Sequence, residues 1–344
     1  MRLDARLPKD IEHTRSHAAA READGYDGLW VSEAGHDPFL QILQAVQGTR
    51  RATVGTAIAV AFGRTPLTIA HAAYDLARHS QGRFVLGLGS QVKPHIERRF
   101  SMPWSRPAAR MREFVLALRA IWDTWQGKGR LAFDGDFYTH TLMTPFFSPE
   151  AHPYGPPPVF LAGVGERMTE VAGEVGDGFF VHPFTTRAYF DEVTRPALVR
   201  GRMLAGTSAL DGFTIAGPTF VATGRDEDEL SEAVRGTRAQ IAFYASTPAY
   251  RAVLELHGRG ELGPELTKRS KEGRWPELGD LVDDELLHEF AVVGEPEAVG
   301  AGVAERWGDV YDRVSLYTNY RIDHDVALRV GAALRAASAL RPER

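Results

Sequence analysis

The chain has 344 residues, 44% hydrophobic and 25% charged, with 40 basic against 45 acidic side chains for a net charge of −5. This is ordinary globular composition without the basic footprint of a nucleic-acid binder, and no apolar run is long enough to cross a bilayer. The absence of cysteine removes disulfides, thiolate nucleophiles and cysteine-ligated zinc. The N-terminus, MRLDARLPKD, enters a strand-like pattern without a signal-peptide core, so a cytoplasmic location is expected. Arg2–Leu7 is a strand candidate, and Asp10 can cap a helix running to Asp24. Gly28–Ser32 is a second strand, and Pro38 opens a helix with Phe39, Ile42, Leu43 and Val46 on its apolar side. Thr53–Val60 is β-rich and ends in a loop at Phe62-Gly63-Arg64. Thr65-Pro66 then supplies an N-cap and a first-turn proline for the next helix. Ser80-Gln81-Gly82-Arg83 stops that helix, and Phe84–Gly89 reads as a buried strand. This complete strand–helix–strand unit implies a parallel sheet.

Pro107–Gln126 is the clearest helix, with Met111, Phe114, Val115, Leu118, Ile121, Trp122 and Trp125 at three- and four-residue steps. Phe133–Pro158 is polar and aromatic and reads as a short hairpin with a long excursion. Val159–Ala162, Gly178–His182, Phe213–Thr223 and Val314–Tyr317 are strands. Gly165–Val175, Thr186–Met203, Asp226–Tyr244, Glu295–Trp307 and Asp323–Ala339 are helices. Residues 245–290 read as an irregular helical insertion. Strands alternating with helices over this length favour a (β/α)8 TIM barrel, with an open doubly wound sheet as competitor. One domain over 1–344 is expected, with insertions around 133–158 and 245–290.

In a barrel, functional groups gather where strands end. The second strand is followed by Glu33 and His36, the fourth by Gln91, Lys93 and His95, the fifth by Gly163-Val164-Gly165-Glu166-Arg167, and the sixth by His182. His36, Glu33 and His182 are the acid–base candidates, since histidine titrates near neutral pH. Each histidine also has a plain reading, His36 as a cap or surface residue and His182 as a loop hydrogen bond. The Gly163–Arg167 turn suits an anion, because its glycines let backbone N–H groups approach a ligand at a helix start. It also reads as a simple left-handed turn. Asp134-Gly135-Asp136 reads as a hairpin turn rather than a metal site, and no metal is expected.

Four motifs carry a resemblance. Gly25-Tyr26-Asp27-Gly28-Leu29-Trp30-Val31, Leu76 to Phe84 with its Ser80-Gln81-Gly82-Arg83 core, Phe133 to Tyr138, and Ala172 to Gly178 occur in order. Together they resemble the luciferase-like monooxygenase superfamily, in its F420-dependent oxidoreductase branch. The resemblance implies a (β/α)8 barrel with an insertion. It implies hydride transfer between C5 of the deazaflavin coenzyme F420 and an unidentified small organic substrate. FMN with oxygen, as in a monooxygenase, is the alternative, and a non-catalytic flavin-binding barrel is a second. By position, it implies a non-prolyl cis peptide at Ala57-Ile58 against the cofactor ring, and the cofactor phosphate at Gly163-Val164-Gly165. Gln91, Lys93, His95 and Arg167 are the further cofactor candidates. A homodimer is expected. Relatives place Asp-His directly after the second strand, whereas this chain has Glu33-Ala34 with His36 later.

Overall fold

In the computed structural model, which describes residues 1–207 and 209–340, the chain order is as follows. β1 (Arg2–Arg6), α1 (Thr14–Ala23), β2 (Gly28–Val31), α2 (Pro38–Gly48), β3 (Thr53–Thr56), β4 (Ala59–Val60), α3 (Pro66–His79), β5 (Phe84–Gly89), α4 (Lys93–Arg98) and α5 (Pro107–Trp125) come first. The hairpin β6 (Phe133–Asp134) and β7 (Thr139–His140) precedes β8 (Val159–Ala162), α6 (Glu166–Val175), β9 (Gly178–Phe180), α7 (Arg187–Tyr189) and α8 (Arg195–Leu204). The remainder is β10 (Thr214–Ala222), α9 (Glu227–Ala245), α10 (Arg251–Leu256), α11 (Leu262–Lys271), α12 (Asp284–Phe290), β11 (Ala291–Val293), α13 (Pro296–Trp307), β12 (Arg313–Tyr317) and α14 (His324–Ala339).

The main-sheet strands pair in parallel in the order β12-β1-β2-β3-β5-β8-β9, and β10 pairs with both β9 and β12. The sheet therefore closes on itself, and the fold is a (β/α)8 TIM barrel. β11 pairs with β10, and β4 continues β3 alongside β5. The helix expected over Thr186–Met203 is interrupted by a π-helical stretch at Phe190–Thr194. Among the described residues, no helix is long and apolar enough to cross a membrane.

By contacts the chain divides into two compact units: Asp4–Phe180 with Ala197–Thr214, and Met1–Leu3 with Val181–Pro196 and everything from Ile215 on. In the first, strand residues facing one another alternate between large and absent side chains. A Cβ on Gly87 would lie 1.9 Å from the Thr56 carbonyl oxygen and 2.6 Å from the Phe180 ring. Only glycine fits there, so the backbones approach closely and Phe180 packs edge-on to Trp30 at 5.0 Å. Trp30 in turn donates its indole N–H to buried Asp4 at 2.8 Å. The amphipathic face of α5 is buried through Met111, Phe114, Leu118, Ile121 and Trp122. Glu113 on the same helix accepts the backbone N–H groups of Asp136, Phe137 and Tyr138, which fixes the hairpin turn.

In the second unit, Trp307 stacks on Tyr311 at 4.4 Å with 3° between planes. A separate core joins Phe184, Phe220, Leu254, Leu287 and Phe290. Most of it comes from β10, α9 and the residues 245–290, the irregular helical insertion.

Candidate active site

In the first unit, the loops after β2, β4 and β5 are tied together. Ala57 N–H donates to the Val31 carbonyl at 2.7 Å, and Glu33 N–H donates to the Ile58 carbonyl at 3.2 Å. The Ala57-Ile58 peptide between them is cis, as the resemblance implies. The Glu33 carboxylate accepts the Val60 N–H and the Arg64 guanidinium, both at 2.7 Å. The other arm of Arg64 donates to Asp37 at 2.7 Å. Asp37 also caps α2 by accepting the Phe39 N–H. Burial alone would lower the Arg64 pKa, but pairing with Glu33 and Asp37 raises it above its usual value. Glu33 is thus held as the partner of a permanent cation, with a side chain only 6% exposed.

His36 lies between Glu33 and Asp37, exposed, in a loop pinned at both of those residues. The same loop is held a third time, because Arg99 donates to the Ala34 carbonyl at 2.9 Å. Phe100 sits on Gly63, where a Cβ would come within 2.6 Å of its ring. No local sequence pattern pairs Arg64 or Arg99 with this loop, since their partners lie far away in the chain.

Gln91 adopts a left-handed backbone at φ +60°, and its side-chain oxygen accepts the next residue's N–H. Lys93 and His95 are exposed on the short helix α4, and Lys93 reaches Glu97 at 3.8 Å. Val164 and Arg167 are also exposed.

Gly163, Val164 and Gly165 connect β8 to α6. Neither glycine has a positive φ, so the left-handed turn is not what the structure shows. Gly163 is required by packing, since its Cβ would lie 2.5 Å from Met168 Cγ. Gly165 has nothing within 4 Å of an added Cβ and heads α6 with no side-chain cap. Neither backbone conformation nor internal packing explains glycine at that position.

The second unit carries its own polar group. His182, just past β9, accepts the Phe184 N–H on Nδ1 at 3.1 Å, and its Nε2 lies 3.1 Å from the Tyr250 hydroxyl. The two rings stack at 4.5 Å. Tyr244 packs edge-on against His182 at 4.9 Å, and its hydroxyl hydrogen-bonds that of Tyr317 at 2.8 Å. Tyr244 and Tyr250 were not legible as site residues, because they belong to α9 and the irregular segment after it.

A closed parallel barrel with charged and aromatic groups past its strand ends is the architecture of a barrel enzyme or ligand-binding protein. Residues 2–312 match the family model for luciferase-like monooxygenases, and the chain belongs to that family. It is 51% identical over 314 residues to an uncharacterised protein of Mycobacterium tuberculosis, covering 91% of this chain and 92% of that one. It is 26% identical over 285 residues to 5,10-methylenetetrahydromethanopterin reductase of Archaeoglobus fulgidus, covering 81% of each. Among solved structures, coenzyme F420-dependent tetrahydromethanopterin reductase from Methanopyrus kandleri superposes with a TM-score of 0.76 at 20% identity, covering 96% of each chain.

Proposed function

We propose that the protein is an F420-dependent oxidoreductase acting on a small organic substrate. The observation that carries this reading is Gly165, a glycine with open space around it at the uncapped start of α6. Backbone N–H groups there can approach an anionic group closely, and the helix start favours negative charge. A phosphate-bearing cofactor therefore fits the residues present. The Methanopyrus kandleri reductase and a relative in Mycobacterium tuberculosis named as a putative coenzyme F420-dependent oxidoreductase, both named for F420, support it as that cofactor. When bound, F420 supplies a hydride donor or acceptor at C5.

The chain's own residues would divide the remaining work. Gly163, Val164 and Gly165 would hold the phosphate, with Arg167 nearby on α6. Ala57 and Ile58 would present backbone to the ring, and Gln91, Lys93 and His95 would line the cofactor from the loop after β5. Glu33 and Arg64 position the loop on which His36 stands, and His36 would give or take the proton that accompanies hydride movement.

FMN is the second reading, favoured by the family's luciferase-like monooxygenase members. Parallel titration of the pure protein with F420 and FMN, followed by tryptophan quenching, tests both. Tighter F420 binding is expected. Tight FMN binding without F420 binding would replace the proposal with the monooxygenase reading.

A further inference from the structure

In the second unit, three cations line one groove without forming an ion pair among the described residues. The helical period of α11 sets Pro264, Thr267, Lys268 and Lys271 along one stripe, at steps of three and four residues. Together with Glu272 and with Arg251 at the start of α10, they line an open groove of about 460 Å³. Arg251 is half-buried over Gly263, where an added Cβ would touch its Nε at 3.6 Å. That Nε is sealed from solvent and has no hydrogen-bond partner. The guanidinium as a whole makes no hydrogen bond and no ion pair among the described residues.

The plain reading of a surface cation covers the lysines better than the arginine. Lys268 and Lys271 stand in the last turn of α11, where the helix dipole favours positive charge. Lys268 also feels Glu265, but Arg269 already binds that carboxylate at 2.7 Å. For Arg251 the dipole works the other way, because it stands in the first turn of α10. Half-burying a guanidinium without a partner costs free energy. Neither ion pairing nor the dipole compensates that cost.

The charge of the groove selects its ligand. Glu272 is the one acid among the lining residues, and Arg274 holds it at 3.4 Å. Three cations from two helices stand against it. A carboxylate brings one negative charge and two oxygens. A phosphate monoester brings nearly two charges and three terminal oxygens, one for each cation. A planar arginine fork beside lysine point charges suits such a group.

We infer that Arg251, Lys268 and Lys271 bind the phosphate group of a small phosphate monoester. The site lies within the second unit and rests on neither reading of the cofactor.

The test follows backbone amides by 15N NMR while the cofactor-free chain is titrated with methyl phosphate, inorganic phosphate or acetate. Shifts at Arg251 and along 264–272 report this groove, apart from the phosphate position proposed at the start of α6. Methyl phosphate should give saturable shifts there, and acetate should bind more weakly. Arg251→Gln should weaken methyl phosphate binding about ten- to hundredfold, the range of one charge-assisted hydrogen bond. The double variant Lys268→Gln with Lys271→Gln changes only exposed side chains and should weaken it as well. It decides the matter if Arg251→Gln does not fold. Lys128→Gln removes an exposed cation from the other unit and should leave binding unchanged. Binding of inorganic phosphate without the ester would make this a free-phosphate site and overturn the inference. Absence of saturable shifts, equal binding of acetate, or an equal loss in Lys128→Gln would overturn it too.

Discussion

Arg64 reaches back across the barrel strands to the carboxylate of Glu33, Nη1 to Oε2 at 2.7 Å, with both side chains largely out of solvent. The same carboxylate oxygen accepts the Val60 N–H, so one acid joins the loops after β2 and β4. Glu33 stands where an acid–base residue is expected, yet its contacts make it a brace.

The first prediction follows from that pairing. Glu33→Gln keeps the shape but removes the charge that Arg64 answers. It should destabilise the fold by about 1.5–3 kcal/mol, the worth of a charge-assisted hydrogen bond. Arg64→Lys cannot reach Glu33 and Asp37 together and should cost a similar amount. Urea melts of the two single variants and the double variant measure this. Strictly additive losses would mean that the pair is not coupled.

The two glycines before α6 should respond differently. Gly163→Val drives a side chain into Met168 and should cost about 1–3 kcal/mol as overpacking. Gly165→Val meets nothing and should leave stability within about 0.5 kcal/mol. It should nevertheless weaken cofactor binding, because the valine would block close approach to the helix start. Thermal melts alongside cofactor titration separate the two effects. Normal binding by folded Gly165→Val would move the phosphate elsewhere, first to the loop after Gly89.

Strands buried on both faces read as unbroken apolar runs, which is why Phe84–Gly89 was legible from sequence. The 3.6-residue repeat likewise marked α5 through Trp125. β11 was not legible, because Ala291–Val293 follows α12 directly with no turn residue between them. The π-helical stretch at Phe190–Thr194 was hidden too, since it keeps the helical composition of its flanks. Strand ends mark the positions of Glu33, His36 and His182. Arg64 at Glu33, Arg99 at the Ala34 carbonyl and Tyr250 at His182 depend on long-range packing that no local pattern encodes.

Acid should destabilise the protein through two histidines. Burial holds the imidazoles of both His140 and His152 below the ordinary 6.5. The unfolded chain therefore binds more protons than the folded one as pH falls below about 6.5. Stability is full above that pH and declines as pH falls toward the folded values. Replacing both residues with Phe should flatten the decline between about pH 6.5 and 5 in urea melts. An unchanged acid limb in the double variant would assign the decline to other groups.

The proton-transfer group can be tested by the contrast between two histidines. His36 is exposed, so His36→Ala should leave the melting temperature nearly unchanged. His182 accepts the Phe184 N–H and stacks on Tyr250, so His182→Ala removes a backbone acceptor and an aromatic contact. It should cost about 1–3 kcal/mol for the backbone group left unsatisfied. Cofactor affinity and single-turnover hydride transfer are then measured separately for each variant. If His36 carries the proton, His36→Ala binds cofactor normally and slows hydride transfer by about 10²–10⁴-fold. Full turnover in His36→Ala, with loss of turnover in folded, cofactor-bound His182→Ala, would transfer the role to His182.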